Sequence, residues 1–253
     1  MPDRVLNGLR IGCVPYLNAR PLVRGIEEHV TFEVPALLAD RFAGGDYDVA
    51  LLPVFEAFRQ PEAAIVDGVS ISCLGAVRSV ILAHRDPLED VAEIVLDPAS
   101  RTSANLLRIL LAERFRLAPR LVSETDNPHS ARLIIGDPAL AFQSHRPSGW
   151  RLLDLGQAWH EWIGLPFVFA VWVLRPGLSF RVAAALRDVA ANGIAHRGEI
   201  AAREADPAAA LAYLTRHIRH TLGSPEKQAM TRFRHLLKKN ALLDPDETAH
   251  RFV

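Results

Sequence analysis

No charge of either sign is in excess in this 253-residue chain: Lys plus Arg and Asp plus Glu each number 29. Nucleic-acid binders concentrate a basic surplus on one domain or face, so no nucleic-acid partner is expected. Lys238-Lys239 is two charges long and reads as a solvated helix end. Long apolar runs are also missing. The longest, 165–174, falls well short of the roughly 18–20 residues of a membrane helix, so no membrane partner is expected. Residues 1–8 (Met-Pro-Asp-Arg-Val-Leu-Asn-Gly) hold no apolar stretch of secretory type, which points to the cytoplasm. Cysteine occurs only twice. Cys13 and Cys73 sit in apolar surroundings and are expected as buried free thiols of a reducing compartment.

Signature motifs are absent too. The chain has no Gly-x-Gly-x-x-Gly, Walker loop, His-Glu-x-x-His, Cys-x-x-Cys or Gly-x-Ser-x-Gly elbow. His217 and His220 have helical i, i+3 spacing but no evident third ligand, and read as a solvated helix face. No carboxylate pair has glycosidase spacing. No metal and no cofactor are therefore expected.

What remains is a well-supplied core, with 49% apolar and 23% charged residues. Short β-rich runs alternate with helical stretches. Strands are expected at 9–14, 31–34, 49–52, 70–74, 79–84, 94–96, 132–135 and within 165–174. Helical spacing covers 18–29, 35–43 and 102–115. From Phe180 the chain reads as helical almost to its end, broken at Asp206-Pro207 and Ser224-Pro225. Such alternation predicts an α/β protein with parallel sheets, and a non-alternating helical tail wrapped on one lobe.

Four segments fall where a strand gives way to a loop or helix, the place where open parallel sheets bind ligands. Pro15 to Pro21 presents Tyr16, Asn18 and Arg20 within five residues. Asn18 also suits a helix cap. In 48–56, a strand runs into Pro53 and then Glu56, which also suits a helix N-terminal dipole. Gly75 to Val80 places Arg78 and Ser79 at a strand mouth, a pairing suited to a carboxylate and a hydroxyl. In 97–103, Ser100, Thr102 and Ser103 crowd a helix start, where free N–H groups and the dipole favour an anion.

Taken together, Pro-Tyr-Leu-Asn-Ala-Arg-Pro at 15–21, Asp-Val-Ala-Leu-Leu-Pro-Val at 48–54, Val-Arg-Ser-Val at 77–80, Ser-Arg-Thr-Ser at 100–103, Ile-Gly-Asp-Pro-Ala at 135–139 and Gly-Leu-Pro-Phe-Val-Phe-Ala-Val-Trp at 164–172 resemble the menaquinone-biosynthesis family of the futalosine route. They are more similar to its chorismate dehydratases than to the sister enzymes that process cyclic dehypoxanthine futalosine. The resemblance implies two α/β lobes of the type II periplasmic-binding-protein-like fold, with parallel-rich sheets and extra C-terminal helices on the first lobe. Crossings near Leu96 and Val173 would make lobe one 1–95 plus 174–253 and lobe two 96–173.

The same resemblance implies a hydro-lyase that removes water from chorismate without a cofactor. Asn18 and Ser79 match the positions nearest the chemistry and are expected to enter the cleft from one lobe. Tyr16, Arg20, Glu56, Arg78, Thr102, Ser103 and Asp137 are the expected substrate-binding residues. Three groups stay open as the base: Glu56, Asp137 and the substrate's own enolpyruvyl carboxylate. A binding or sensor protein for small carboxylates and the sister enzyme stay open as alternatives. The sequence indicates no oligomeric state.

Overall fold

The computed structural model describes residues 3–127, 130–244 and 251–253. After a short helix α1 (Asp3–Leu6), the buried strand β1 (Ile11–Cys13) opens the first sheet. The expected helix over 18–29 is replaced by two 3-10 turns, Leu17–Leu22 and Glu27–His29. Pro21 inside the first turn and the positive φ of Gly25 prevent a continuous α-helix. Strand β2 (Val30–Phe32), helix α2 (Pro35–Gly44), strand β3 (Val49–Pro53) and helix α3 (Val54–Phe58) follow. Proline begins α2, and left-handed Gly45 ends it by returning its N–H to the carbonyls of Arg41 and Phe42.

The long strand β4 (Ala64–Cys73) leads into β5 (Val80–His84) and β6 (Glu93–Val95). Helix α4 (Arg101–Ile109) continues as a π turn to Phe115, and left-handed Arg116 ends it. Then come β7 (Arg120–Val122), β8 (Ala131–Ile135), α5 (Gly136–Ser144), β9 (Arg151–Asp154), α6 (Leu155–Ile163) and β10 (Phe167–Leu174). The tail contains α7 (Phe180–Ala195), α8 (Arg197–Ala201), α9 (Pro207–Ala212), a π turn from Tyr213 to His217, strand β11 (Arg219–Leu222), α10 (Ser224–Lys239) and the short strand β12 (Arg251–Phe252).

These strands form two sheets. One runs β11-β4-β10-β3-β1-β2, with β12 also on β4; the other runs β7-β6-β8-β5-β9. Both are mixed rather than parallel-rich, because β10 runs antiparallel to β3 and β4, and β5 antiparallel to β8 and β9. Strand membership also moves the crossings. The chain passes to the second sheet between Cys73 and Val80 and returns between Asp154 and Phe167, earlier each time than Leu96 and Val173. Apolar patterning marks the strands but not the sheet each one joins.

The tail departs from the sequence expectation at β11. His220 and Leu222 are buried and alternate with exposed Thr221, a period of two that extends the first sheet. His220 is thus a buried strand residue, not part of a solvated helix face. The tail packs chiefly on the first sheet through α7 and α10. A cluster of edge-to-face rings, Trp159 with Phe167 and Phe233 and Phe167 with Phe233, joins α6, β10 and α10. Cys13 and Cys73 are buried and free, as expected.

Candidate active site

Between the sheets lies a small cavity of about 60 Å³. It is lined by Tyr16 and Asn18 after β1, Ser79 before β5, Ser100, Thr102 and Ser103 at the start of α4, and Gly136 after β8. Val14, Pro35, Pro53, Ile71, Val80, Ile135, Phe169 and Ala170 complete an apolar wall. Five of the nine expected site residues therefore converge: Tyr16, Asn18, Ser79, Thr102 and Ser103. Ser79 belongs by its backbone to the second sheet, where its carbonyl accepts the Gly136 N–H at 2.8 Å. Asn18 and Ser79 thus approach from opposite sheets rather than from one lobe.

Two polar atoms here lack partners among the described residues. Asn18 Oδ1 and Ser79 Oγ are both buried with no hydrogen-bond partner, and Ser79 is only 1% exposed. A buried polar group without a partner costs on the order of 1–3 kcal/mol, so such a pair on residues lining one cavity is suited to complete its bonding with a ligand. The helix start adds donors. Ser100 caps α4 by accepting the Ser103 N–H at 3.1 Å. Thr102 Oγ1 accepts the Phe55 N–H from the facing α3 at 3.0 Å, which leaves its own hydroxyl proton for another acceptor.

Among the described residues, no Asp, Glu, Lys or Arg lines this cavity. Its ionisable group is Tyr16, whose phenol is pushed up to about 12 by burial and then by Asp97 and Asp137. Burial also raises Asp97 and Asp137 above the ordinary Asp range. Backbone N–H groups of Ala99 and Ile135 oppose the rise at Asp97, and the Leu17 N–H and then Arg20 oppose it at Asp137.

The other four expected residues stand back from the cavity. Asp137 accepts the Leu17 N–H at 3.0 Å, tying the start of α5 to the loop after β1 across the cleft. Arg20 pairs with Glu204 and borders a separate outer depression. Arg78 is exposed in a left-handed conformation, φ 63°, with its backbone N–H on Asp154. Glu56, 4% exposed at its side chain, is held by Arg59 at 3.2 Å and Arg101 at 3.3 Å. Arg101 also binds Asp40, so this cluster joins α4 to α2 and α3.

Gly136 has φ +65°, and an added Cβ would lie 2.7 Å from the Tyr16 ring. Only glycine permits both that backbone and that approach. Sequence reasoning missed Tyr213 and His220 in the tail. Asn18 Nδ2 donates to Tyr213 Oη at 3.1 Å, and His220 Nε2 lies 2.8 Å from the Asn18 carbonyl oxygen. Tyr213 sits in an alanine-rich helical pattern where it reads as core. The one available signal for His220 was the alternation over 219–222.

Comparison with known proteins adds to this geometry. A sequence profile of a family described as menaquinone biosynthesis matches residues 9–239. A chorismate dehydratase from Thermus thermophilus is 28% identical over 253 aligned residues, covering 88% of this chain and 93% of that one. Among solved structures, a protein from Archaeoglobus fulgidus aligns with a TM-score of 0.74 at 15% identity, over 93% of this chain and 98% of its own. The periplasmic aliphatic sulphonate binding protein of Escherichia coli aligns at 0.63 and 16%, over 95% and 94%. At these identities the structural likeness is one of fold, and the fold is the periplasmic-binding-protein-like one expected above.

Proposed function

This chain belongs to the menaquinone biosynthesis family, and from that premise we propose that it is a chorismate dehydratase, a hydro-lyase that converts chorismate to 3-[(1-carboxyvinyl)oxy]benzoate. The observation that carries this is the cavity lined by Asn18 and Ser79, whose Oδ1 and Oγ have no partners among the described residues, beside a capped helix start. The Thermus relative's name supports the same reaction.

The elimination removes the proton on C3 and the hydroxyl on C4 of the ring. The C–H electron pair becomes ring π density, the C4–O bond breaks, and the proton and hydroxide leave as water. The C3 hydrogen is vinylogous to the ring carboxylate, and aromatisation drives the step, so no oxidant or cofactor is consumed. The protein has to bind two carboxylates, hold one conformer and stabilise charge moving into the ring carboxylate.

Ser100, Thr102, Ser103 and the N-terminal N–H groups of α4 suit one carboxylate. Asn18 and Ser79 suit the departing hydroxyl and the second carboxylate. Since no Asp or Glu among the described residues lines the cavity, the enolpyruvyl carboxylate of the substrate serves as base, and the protein holds it in reach. Glu56, clamped by two guanidinium groups, and Asp137, turned to Leu17, act in holding the cleft together.

A cavity of about 60 Å³ is far below the roughly 300 Å³ of a ring-sized ligand site, so the lobes part to admit substrate. The hinge lies at the two passages between the sheets, 74–79 and 155–166, and the site of action is the cytoplasm. Incubation with chorismate tests the activity. The expected result is loss of one water by mass, with a new aromatic absorbance. Saturable binding of chorismate without chemical change would instead make the protein a binder on the same scaffold.

A further inference from the structure

Asn18 is held by two tail residues at once, and neither of them lines the cavity. Its side-chain amide donates to the Tyr213 phenol at 3.1 Å, and its backbone carbonyl receives His220 Nε2 at 2.8 Å. Both partners are buried, Tyr213 at 3% and His220 at 4% exposure. Burial pushes the Tyr213 hydroxyl strongly upward. That push keeps the phenol protonated throughout the physiological range. Burial likewise lowers His220 to about 4, so its ring is neutral near pH 7, and Nε2 must carry the proton to bond a carbonyl.

The charged and titratable neighbours that bear on this pair are few. Arg197 lowers His220 further, while Asp137 and Cys73 add to the rise at Tyr213. A neutral phenol that accepts one amide N–H fixes which way that amide is turned. An amide whose Nδ2 is engaged by Tyr213 leaves Oδ1, on a residue that lines the cavity, without a partner among the described residues.

We infer that Tyr213 is a positioning residue of the active site: its phenol sets the rotamer of Asn18, while His220 fixes the Asn18 backbone. The inference rests on the dehydratase activity proposed above. It makes the C-terminal tail a working part of the site. The π turn carries Tyr213, and strand β11, antiparallel to β4, carries His220.

The test uses the intact chain and a double-mutant cycle on chorismate turnover. Tyr213→Phe removes one oxygen and keeps the ring. It is expected to lower kcat by about 10-fold or more with KM changed far less, since a misplaced group acts mainly on the transition state. In an Asn18→Ala background the same change is expected to have a much smaller effect, because the group it positions is already gone. Equal losses in both backgrounds, or kinetics like the parent, would overturn the inference.

A second readout is independent of activity and of whether the variant folds. In the parent protein, the Asn18 side-chain amide is expected to show a proton protected from solvent exchange by NMR. Free exchange of both amide protons would also overturn the inference. Should chorismate not be turned over at all, the proposed function fails while this amide measurement still decides the role of Tyr213.

Discussion

The two sheets contribute differently to the cavity they share. The seven-stranded sheet and the tail hold Asn18 from three directions: the strand before it, Tyr213 and His220. The five-stranded sheet supplies a helix start, hydroxyls and the glycine on which Tyr16 closes. The first side fixes one group rigidly. The second presents a surface that meets it through a few polar bridges, Asp137 to Leu17, Thr102 to Phe55, and Arg101 to Asp40 and Glu56. The two unpartnered atoms are divided between the sides, Asn18 Oδ1 on the first and Ser79 Oγ on the second.

The comparison breaks most visibly at the unpartnered atoms. Asn18→Ala and Ser79→Ala are each expected to lower kcat by about 10²-fold or more, as when one transition-state hydrogen-bonding group is removed. Steady-state kinetics on chorismate checks this. Parent-like rates in both variants would remove these residues from the site.

A smaller effect is expected from Gly136→Ala. The new methyl group meets the Tyr16 ring at 2.7 Å in a left-handed backbone, so the cleft closes poorly. KM should rise by about 10-fold, and small-angle scattering should show less compaction with product bound than in the parent. Equal compaction would show that Tyr16 yields easily and that closure does not depend on this contact.

Thr102→Val sharpens the division further. It removes a hydroxyl expected to hold a carboxylate alike in ground and transition states, so KM rises while kcat stays nearly intact. It also leaves the buried Phe55 N–H without its acceptor, which should destabilise the fold by about 1–3 kcal/mol. Thermal melts and kinetics on one preparation separate the two effects.

The smallest effect concerns Asp137. Its carboxyl is raised by burial, so the folded protein binds that proton more tightly than the unfolded chain does. The stability it contributes is therefore largest below the unfolded value, about 4. It declines as pH rises through the raised folded value. Asp137→Asn should remove that decline, raising the melting temperature relative to the parent more at pH 7 than at pH 4, while turnover persists. The opposite ordering would mean that the bond to the Leu17 N–H outweighs burial.

Much of this site was legible in the chain. Tyr16, Asn18, Ser79, Thr102 and Ser103 each follow or open an element whose pattern is clear, and position at a strand end brought them together. Charged residues in the same segments misled. Arg20, Arg78 and Glu56 look suited to an anion or a proton, yet Arg20 and Glu56 find opposite charges locally and Arg78 turns to solvent. A chain read one residue at a time does not show which guanidinium is already neutralised.

Sheet membership was hidden for a related reason. Strands β5 and β10 have the apolar run of any buried strand, and only long-range pairing decides which sheet takes them. Tyr213 and His220 were hidden because the short β11 sits among helical patterns, and its alternation covers four residues.

Among the described residues no carboxylate, ammonium or guanidinium group lines the cavity wall, so the most direct measurement is the pH dependence of kcat for chorismate. With the substrate carboxylate as base and Tyr16 pushed up to about 12, kcat should be flat from about pH 6 to about pH 9. A sigmoidal profile with its midpoint in that range, abolished by Asp137→Asn or Glu56→Gln, would assign the proton transfer to that side chain and contradict the account.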